Sequence, residues 1–167
     1  MEKLLEFFEK AHEVDAKVVF HPGDAEIAEN KKMLGLLSET DVLILNKRQA
    51  AELVPGNILS ELLYHLNGYV PTTIITDGAM GGIAGDAANK EIYRFGIYED
   101  VRVKDRTGAG DAFAAGFVAA KASGKSFRQS LVFASANATA VIQKIGSRTG
   151  ILTGRDELHP MPMQKLN

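Results

Sequence analysis

One stretch of the chain combines residue types that can handle a phosphate: Asp105-Arg106-Thr107-Gly108-Ala109-Gly110-Asp111-Ala112-Phe113. Two glycines bracket an alanine just before a helix, so backbone N–H groups can converge on one spot with no side chains in the way. The helix dipole adds partial positive charge there. That is an anion hole built from Gly108, Ala109 and Gly110. Asp111 then falls in the first helical turn, where a fixed carboxylate would repel a phosphate that is merely held. A carboxylate beside an anion hole makes chemical sense if it takes the proton from a hydroxyl that attacks phosphorus. The same residues also fit a plain loop with Asp111 capping the helix.

Two further elements point the same way. Thr76-Asp77-Gly78-Ala79-Met80-Gly81-Gly82 follows an apolar strand, and its small residues let backbone approach the phosphates of a nucleotide. An ordinary β-turn has the same composition. Asn46 closes the Val42 to Leu45 run, in the zone beyond carboxyl strand ends where open sheets bind ligands. It serves equally well as the N-cap of the segment that starts at Lys47.

Stepping along the chain gives the elements that must position these residues. Leu4, Leu5, Phe7, Phe8 and Ala11 recur at helical spacing between charges, so the first dozen residues form an amphipathic helix. Lys17 to Phe20 is a short β-branched strand. Pro22-Gly23-Asp24 stops it before a helix carrying Ile27, Leu34, Leu36 and Leu37. Asp41 to Leu45 is a continuous apolar run, as in parallel strands covered on both faces. A short helix, a break at Pro55-Gly56-Asn57 and a helix with Ile58, Leu59, Leu62, Leu63 and Leu66 on one stripe lead to the strand Thr72 to Asp77. Ile83 to Asp86 and Glu91 to Phe95 form a β-hairpin around Asn89. Two long helices, about Ala109 to Ala122 and Phe127 to Ile145, complete the order, and the tail after Gly150, with Pro160 and Pro162, is loosely held. Alternating strands and helices predict an α/β fold with a mostly parallel sheet flanked by helices. With no linker, residues 1–167 read as a single domain.

Composition removes several function classes. The 167 residues carry 19 Lys and Arg against 21 Asp and Glu, a net charge of -2. No strong overall field draws in nucleic acid or an anionic membrane. No cysteine is present, which excludes disulfides, thiol nucleophiles and zinc knuckles and fits the reducing cytoplasm. The first ten residues interleave charges with apolar side chains, unlike a signal peptide, and no run reaches membrane-spanning length. His12, His21, His65 and His159 lack metal-ligand spacing and read as surface or loop residues. Gly124-Lys125-Ser126 resembles the end of a P-loop, but Ala119 stands where that motif needs glycine.

In this order the three elements resemble the second half of the ribokinase, or PfkB, family of small-molecule kinases, over nearly the whole chain. The resemblance implies a ribokinase-like fold whose N-terminal half has no counterpart here. It also implies transfer of the γ-phosphoryl of ATP, with Mg2+, to an alcohol of a sugar or nucleoside. Asp111 matches the family's catalytic base, and Gly108, Ala109 and Gly110 its anion hole. Thr76, Gly78 and Gly81 match its nucleotide-binding Thr-x-Gly-x-x-Gly turn, and Asn46 the Asn of its Asn-x-x-Glu motif. Asp105 and Thr107, with backbone near Gly146, match positions that bind a monovalent cation such as K+ in some members.

Three departures qualify that picture. Gln49 stands where the family has Glu, a neutral side chain at a magnesium-motif position; Glu52, one turn on, offers a substitute carboxylate or a solvated helix residue. Arg106 replaces a small residue and either touches phosphate or points to solvent. The missing half supplies most acceptor contacts in the family. Its loss leaves an open strand edge and apolar faces, so a homo-oligomer or a complementing N-terminal half is expected. A nucleotide-binding module without independent kinase activity is the second reading, and a purely structural α/β domain the third.

Overall fold

In the computed structural model, residues 2–154, 156, 158 and 161–166 are described. His159 and Pro160 lie outside them. The chain divides into two compact units, residues 1–94 with 165–167 and residues 95–164.

Helix α1 (Glu2–Glu13) is amphipathic as its spacing requires, with Phe8 buried and set edge-to-face on Phe20 at 5.3 Å. Strand β1 (Val19–Phe20) has only two residues. The single helix expected after Pro22 is two, α2 (Asp24–Ala28) and α3 (Asn30–Leu37). The break falls at Glu29, whose φ of -87° and ψ of 39° take it off the helical path. The Lys32 and Met33 N–H groups both turn back to its carbonyl.

Strand β2 (Val42–Asn46) runs parallel to β1 and to β3 (Thr72–Thr76), with Asn46 opposite Thr76 in register. Strand β4 (Gly82–Asp86) returns antiparallel to β3, and β5 (Glu91–Phe95) follows it. Helices α4 (Lys47–Leu53) and α5 (Leu59–Leu66) pack Leu53, Leu59, Leu62, Leu63 and Leu66 into one core with Leu43, Leu45 and Ile75. Ile58, placed on that stripe by spacing, is instead the exposed residue before α5. Each fully buried Leu or Ile contributes about 1.5–3 kcal/mol relative to exposure. The sheet order is β1-β2-β3-β4-β5-β6, so β1 is an edge strand.

The sixth strand, β6 (Met163–Leu166), corrects the expectation of a loose tail. Gly96 N–H donates to the Pro162 carbonyl at 2.8 Å, and Lys165 pairs with Glu91 at 3.0 Å.

In the second unit, α6 (Ala109–Ala122) and α7 (Phe127–Ile142) pack face to face. Small residues let them approach. A Cβ at Gly116 would sit 3.1 Å from Ala134 Cα and from Asn137 Cβ. Buried Asn137 ties the unit together, donating to the Ala112 carbonyl at 2.7 Å and accepting the Leu152 N–H at 2.8 Å. Helix α7 stops at Ile142, short of the expected Ile145. The Lys104 and Asp105 N–H groups take the Ile142 carbonyl, and Gly146 turns the chain with φ at 97°.

Candidate functional site

The candidate residues fall into two groups, one in each unit. In the first unit they occupy the C-terminal ends of β2 and β3. Asn46 caps α4: its side-chain oxygen accepts the Gln49 N–H at 2.9 Å, while its own N–H donates to Gln49 Oε1 at 3.0 Å. This reciprocal box satisfies two orphan groups of the helix end. Gln49 is therefore buried and committed. Its amide nitrogen donates to Asp24 Oδ1 at 3.0 Å and to the Pro22 carbonyl at 3.2 Å. An amide, and not a carboxylate, suits a position that faces another carboxylate and a carbonyl oxygen. The Arg48 guanidinium, then Gln49, holds Asp24 below the usual carboxylate range. Glu52 pairs with Arg48 at 2.5 Å.

The glycine turn that follows β3 is tightly closed. Asp77 N–H donates to the Gly81 carbonyl at 2.7 Å, and residues Gly78–Met80 form one 3-10 turn. Gly78 has φ 55°, and Gly81 combines φ 78° with ψ -123°, a region open only to glycine. Among the described residues the N–H groups of Gly78 and Ala79 have no acceptor. Thr76, half-buried, points its hydroxyl toward the Leu45 carbonyl at 3.5 Å. Sequence reasoning missed Lys47, whose ammonium sits 3.3 Å from Asp77 and brings a cation to this turn.

The second group surrounds the start of α6. Gly108 is the N-cap with φ 80° and makes no side-chain cap. Helices α4 and α7, by contrast, begin with full capping boxes at Asn46 and Ser126. Among the described residues the N–H groups of Gly108 and Gly110 have no acceptor, whereas Ala109 N–H reaches the Arg106 carbonyl at 3.3 Å. Asp111 is the third residue of α6 and is exposed, as is Arg106. Gly108 is fixed by its neighbour: a Cβ there would stand 2.7 Å from both Cβ and the carbonyl oxygen of Ser147.

Asp105 staples the loop that leads into this turn. Oδ1 accepts the Thr107 N–H at 2.9 Å and Oδ2 the Gly146 N–H at 3.1 Å. These bonds, the Thr107 backbone first and its hydroxyl next, hold the Asp105 carboxyl below its ordinary value.

The α/β sheet and its helices form a ribokinase-like fold. Residues 2–153 match the pfkB family carbohydrate kinase, and the chain belongs to that family. It is 30% identical over 149 residues to ribokinase from Haemophilus influenzae, covering 85% of this chain and 46% of that protein. The chain thus spans about half the length of the curated relative. Adenosine kinase from Sinorhizobium meliloti superposes with a TM-score of 0.79 at 25% identity, over 87% of this chain and 45% of that one. An Escherichia coli structure described as a putative ribokinase II, solved with ATP and Mg2+, gives a TM-score of 0.76 at 20% identity, over 87% of this chain and 48% of that one. Among the described residues no helix is long and apolar enough to cross a membrane.

Proposed function

We propose that this chain is the nucleotide-binding half of an ATP-dependent kinase that phosphorylates an alcohol group of a sugar, with a nucleoside as the alternative acceptor. The observation that carries the reading is the uncapped start of α6, with the N–H groups of Gly108 and Gly110 open and a carboxylate, Asp111, one residue further on. A helix N-terminus of that kind attracts phosphoryl oxygens. The open amides of Gly78 and Ala79 provide a second phosphate-binding turn, and they fit the phosphate chain of a nucleotide.

When bound, Mg-ATP supplies the electrophilic γ-phosphoryl group. Asp111 accepts the proton of the acceptor hydroxyl, and the amides of Gly108, Ala109 and Gly110 donate to the charge that develops on the phosphoryl oxygens. Ala109 must first release Arg106, a bond already long at 3.3 Å. The turn carrying Thr76, Gly78 and Gly81 binds the nucleotide phosphates, with Asn46 and Lys47 at the neighbouring strand end. Gln49, neutral and engaged with Asp24, adds no charge to a metal-bound water network, so Mg2+ handling falls to the nucleotide and the remaining residues. Asp105 and Thr107 would hold a K+ ion, each Asp105 oxygen retaining a lone pair beyond its main-chain bond; no step passes through it.

The 167 residues act as one α/β domain corresponding to the C-terminal half of the family fold, in the cytoplasm, a location supported by the lack of cysteine. Edge strand β1 offers the pairing surface for a complementing N-terminal half or a second copy. Because the chain spans about half of its relatives, a nucleotide-binding module without turnover is the second reading. In an active assembly, Asp111→Asn is expected to lower turnover about 10²- to 10⁴-fold. Near-normal turnover would remove Asp111 from the role of base.

A further inference from the structure

The unit spanning residues 95–164 contains a cleft of about 500 Å³ that none of the residues assigned above lines. Its charged walls are Arg102, Lys104 and Lys144; Gln143 adds an amide, and Ala140 and Leu152 an apolar floor. Among the described residues no acidic side chain lines it. Some cations among the described residues are matched with carboxylates: Lys10 with Glu6, Lys17 with Asp41, Lys47 with Asp77, Arg48 with Asp24. Among the described residues Arg102, Lys104 and Lys144 have no such partner.

The carboxylate next to Lys104 in the chain is otherwise engaged. Asp105, next to Lys104, gives both carboxylate oxygens to the N–H groups of Thr107 and Gly146. The carbonyl end of α7 is covered too: Ile142 accepts the Lys104 and Asp105 N–H groups, and Val141 accepts that of Lys144. Three like charges around one concavity repel one another unless a counter-anion joins them.

We propose that this cleft is an anion site for a small phosphorylated compound of charge about -2 to -3, distinct from the nucleotide turns. The cleft falls within the range of about 300–1,000 Å³ typical of small-molecule sites. One guanidinium fork and two ammonium groups match the oxygens of a diphosphate or phosphate monoester. Ala140 and Leu152 accommodate the carbon portion. A bound anion bridges residues 102–104 to the end of α7.

The test is calorimetric titration of the 167-residue chain with pyrophosphate at low ionic strength, beside Arg102→Gln, Lys104→Gln, Lys144→Gln and the triple variant. Saturable binding is expected, weakened about tenfold by each single change, lost in the triple variant, and weaker at high salt. All three side chains are exposed, so circular dichroism of the triple variant should match the parent. No saturable binding to the parent would overturn the proposal, as would binding that persists in the triple variant or survives there and is displaced by ADP. ADP binding that remains in the triple variant while pyrophosphate binding is lost would support it and separate it from the nucleotide reading. Ribose 5-phosphate and ADP, run as further arms on parent and triple variant, show whether the phosphate arrives on a sugar or a nucleotide.

Discussion

Gly108→Ala asks how firmly the anion-hole turn is built. Two costs add. At φ 80° an alanine Cβ meets its own backbone, about 1–2 kcal/mol. The same Cβ would also stand 2.7 Å from the Ser147 carbonyl oxygen and 2.9 Å from Ser147 Cα, backbone atoms that cannot swing aside. Overpacking of that kind costs about 1–3 kcal/mol. The total of about 2–5 kcal/mol corresponds to a fall in Tm of roughly 5–15 °C for a chain of this size. Two internal controls separate the terms. Gly124 has φ 79° with nothing within 4 Å, so Gly124→Ala should carry the backbone term alone. Gly35, inside α3 with open space around it, should gain about 0.5–1 kcal/mol as alanine. Urea and thermal unfolding followed by circular dichroism should therefore rank Gly35→Ala above the parent, Gly124→Ala below it and Gly108→Ala lowest. If Gly108→Ala is no worse than Gly124→Ala, the packing of the turn against Ser147 is not what fixes it.

Asp105→Asn should destabilise the protein at neutral pH, because a carboxyl held below its ordinary value contributes stability that is present above the unfolded value near 3.8 and lost as pH falls through the folded one. Urea unfolding at pH 7, 5 and 3 should show the gap between parent and variant closing only below about pH 4; a gap independent of pH would contradict the staple. Gln49→Glu, which restores the family's residue, should destabilise by about 1–3 kcal/mol, since it sets a carboxylate against Asp24 and leaves the buried Pro22 carbonyl without its donor. A stabilised Gln49→Glu in chemical denaturation would show that the amide is incidental. Asn137→Ala should cost about 2–3 kcal/mol in the same assay, as a buried bridge between the Ala112 carbonyl and the Leu152 N–H is removed.

What the sequence disclosed and what it hid follow from the range of the interactions involved. The starts of α4 and α7 were legible because Asn46 and Ser126 each precede a Gln three residues later, a local pattern with a local bond. Gly108 stood out because, with Gly110, it leaves the backbone amides before a helix free of side chains. The end of α7 was not legible, since Ile142 is claimed by N–H groups from residues 104 and 105, far away in sequence. The split at Glu29 leaves no proline or glycine to mark it. Strand β6 reads Met-Gln-Lys-Leu, too short to show alternation, and its Lys165 finds Glu91 across 74 positions. Gln49 looked like a lost carboxylate because Asp24, the residue that explains an amide there, lies 25 positions earlier. The same applies to the cleft: Arg102 and Lys104 alternate with Val101 and Val103, but nothing local links them to Lys144.

The central claim, that these glycine turns receive the phosphates of a nucleotide, is tested most directly by calorimetric titration of the chain with ADP. The account predicts saturable binding, with affinity reduced by Gly81→Ala, which distorts the first turn, and by Gly108→Ala, which displaces the open amides of the second. Absence of saturable binding up to about 1 mM ADP, a free energy weaker than about -4 kcal/mol, or binding indifferent to both substitutions, would contradict it.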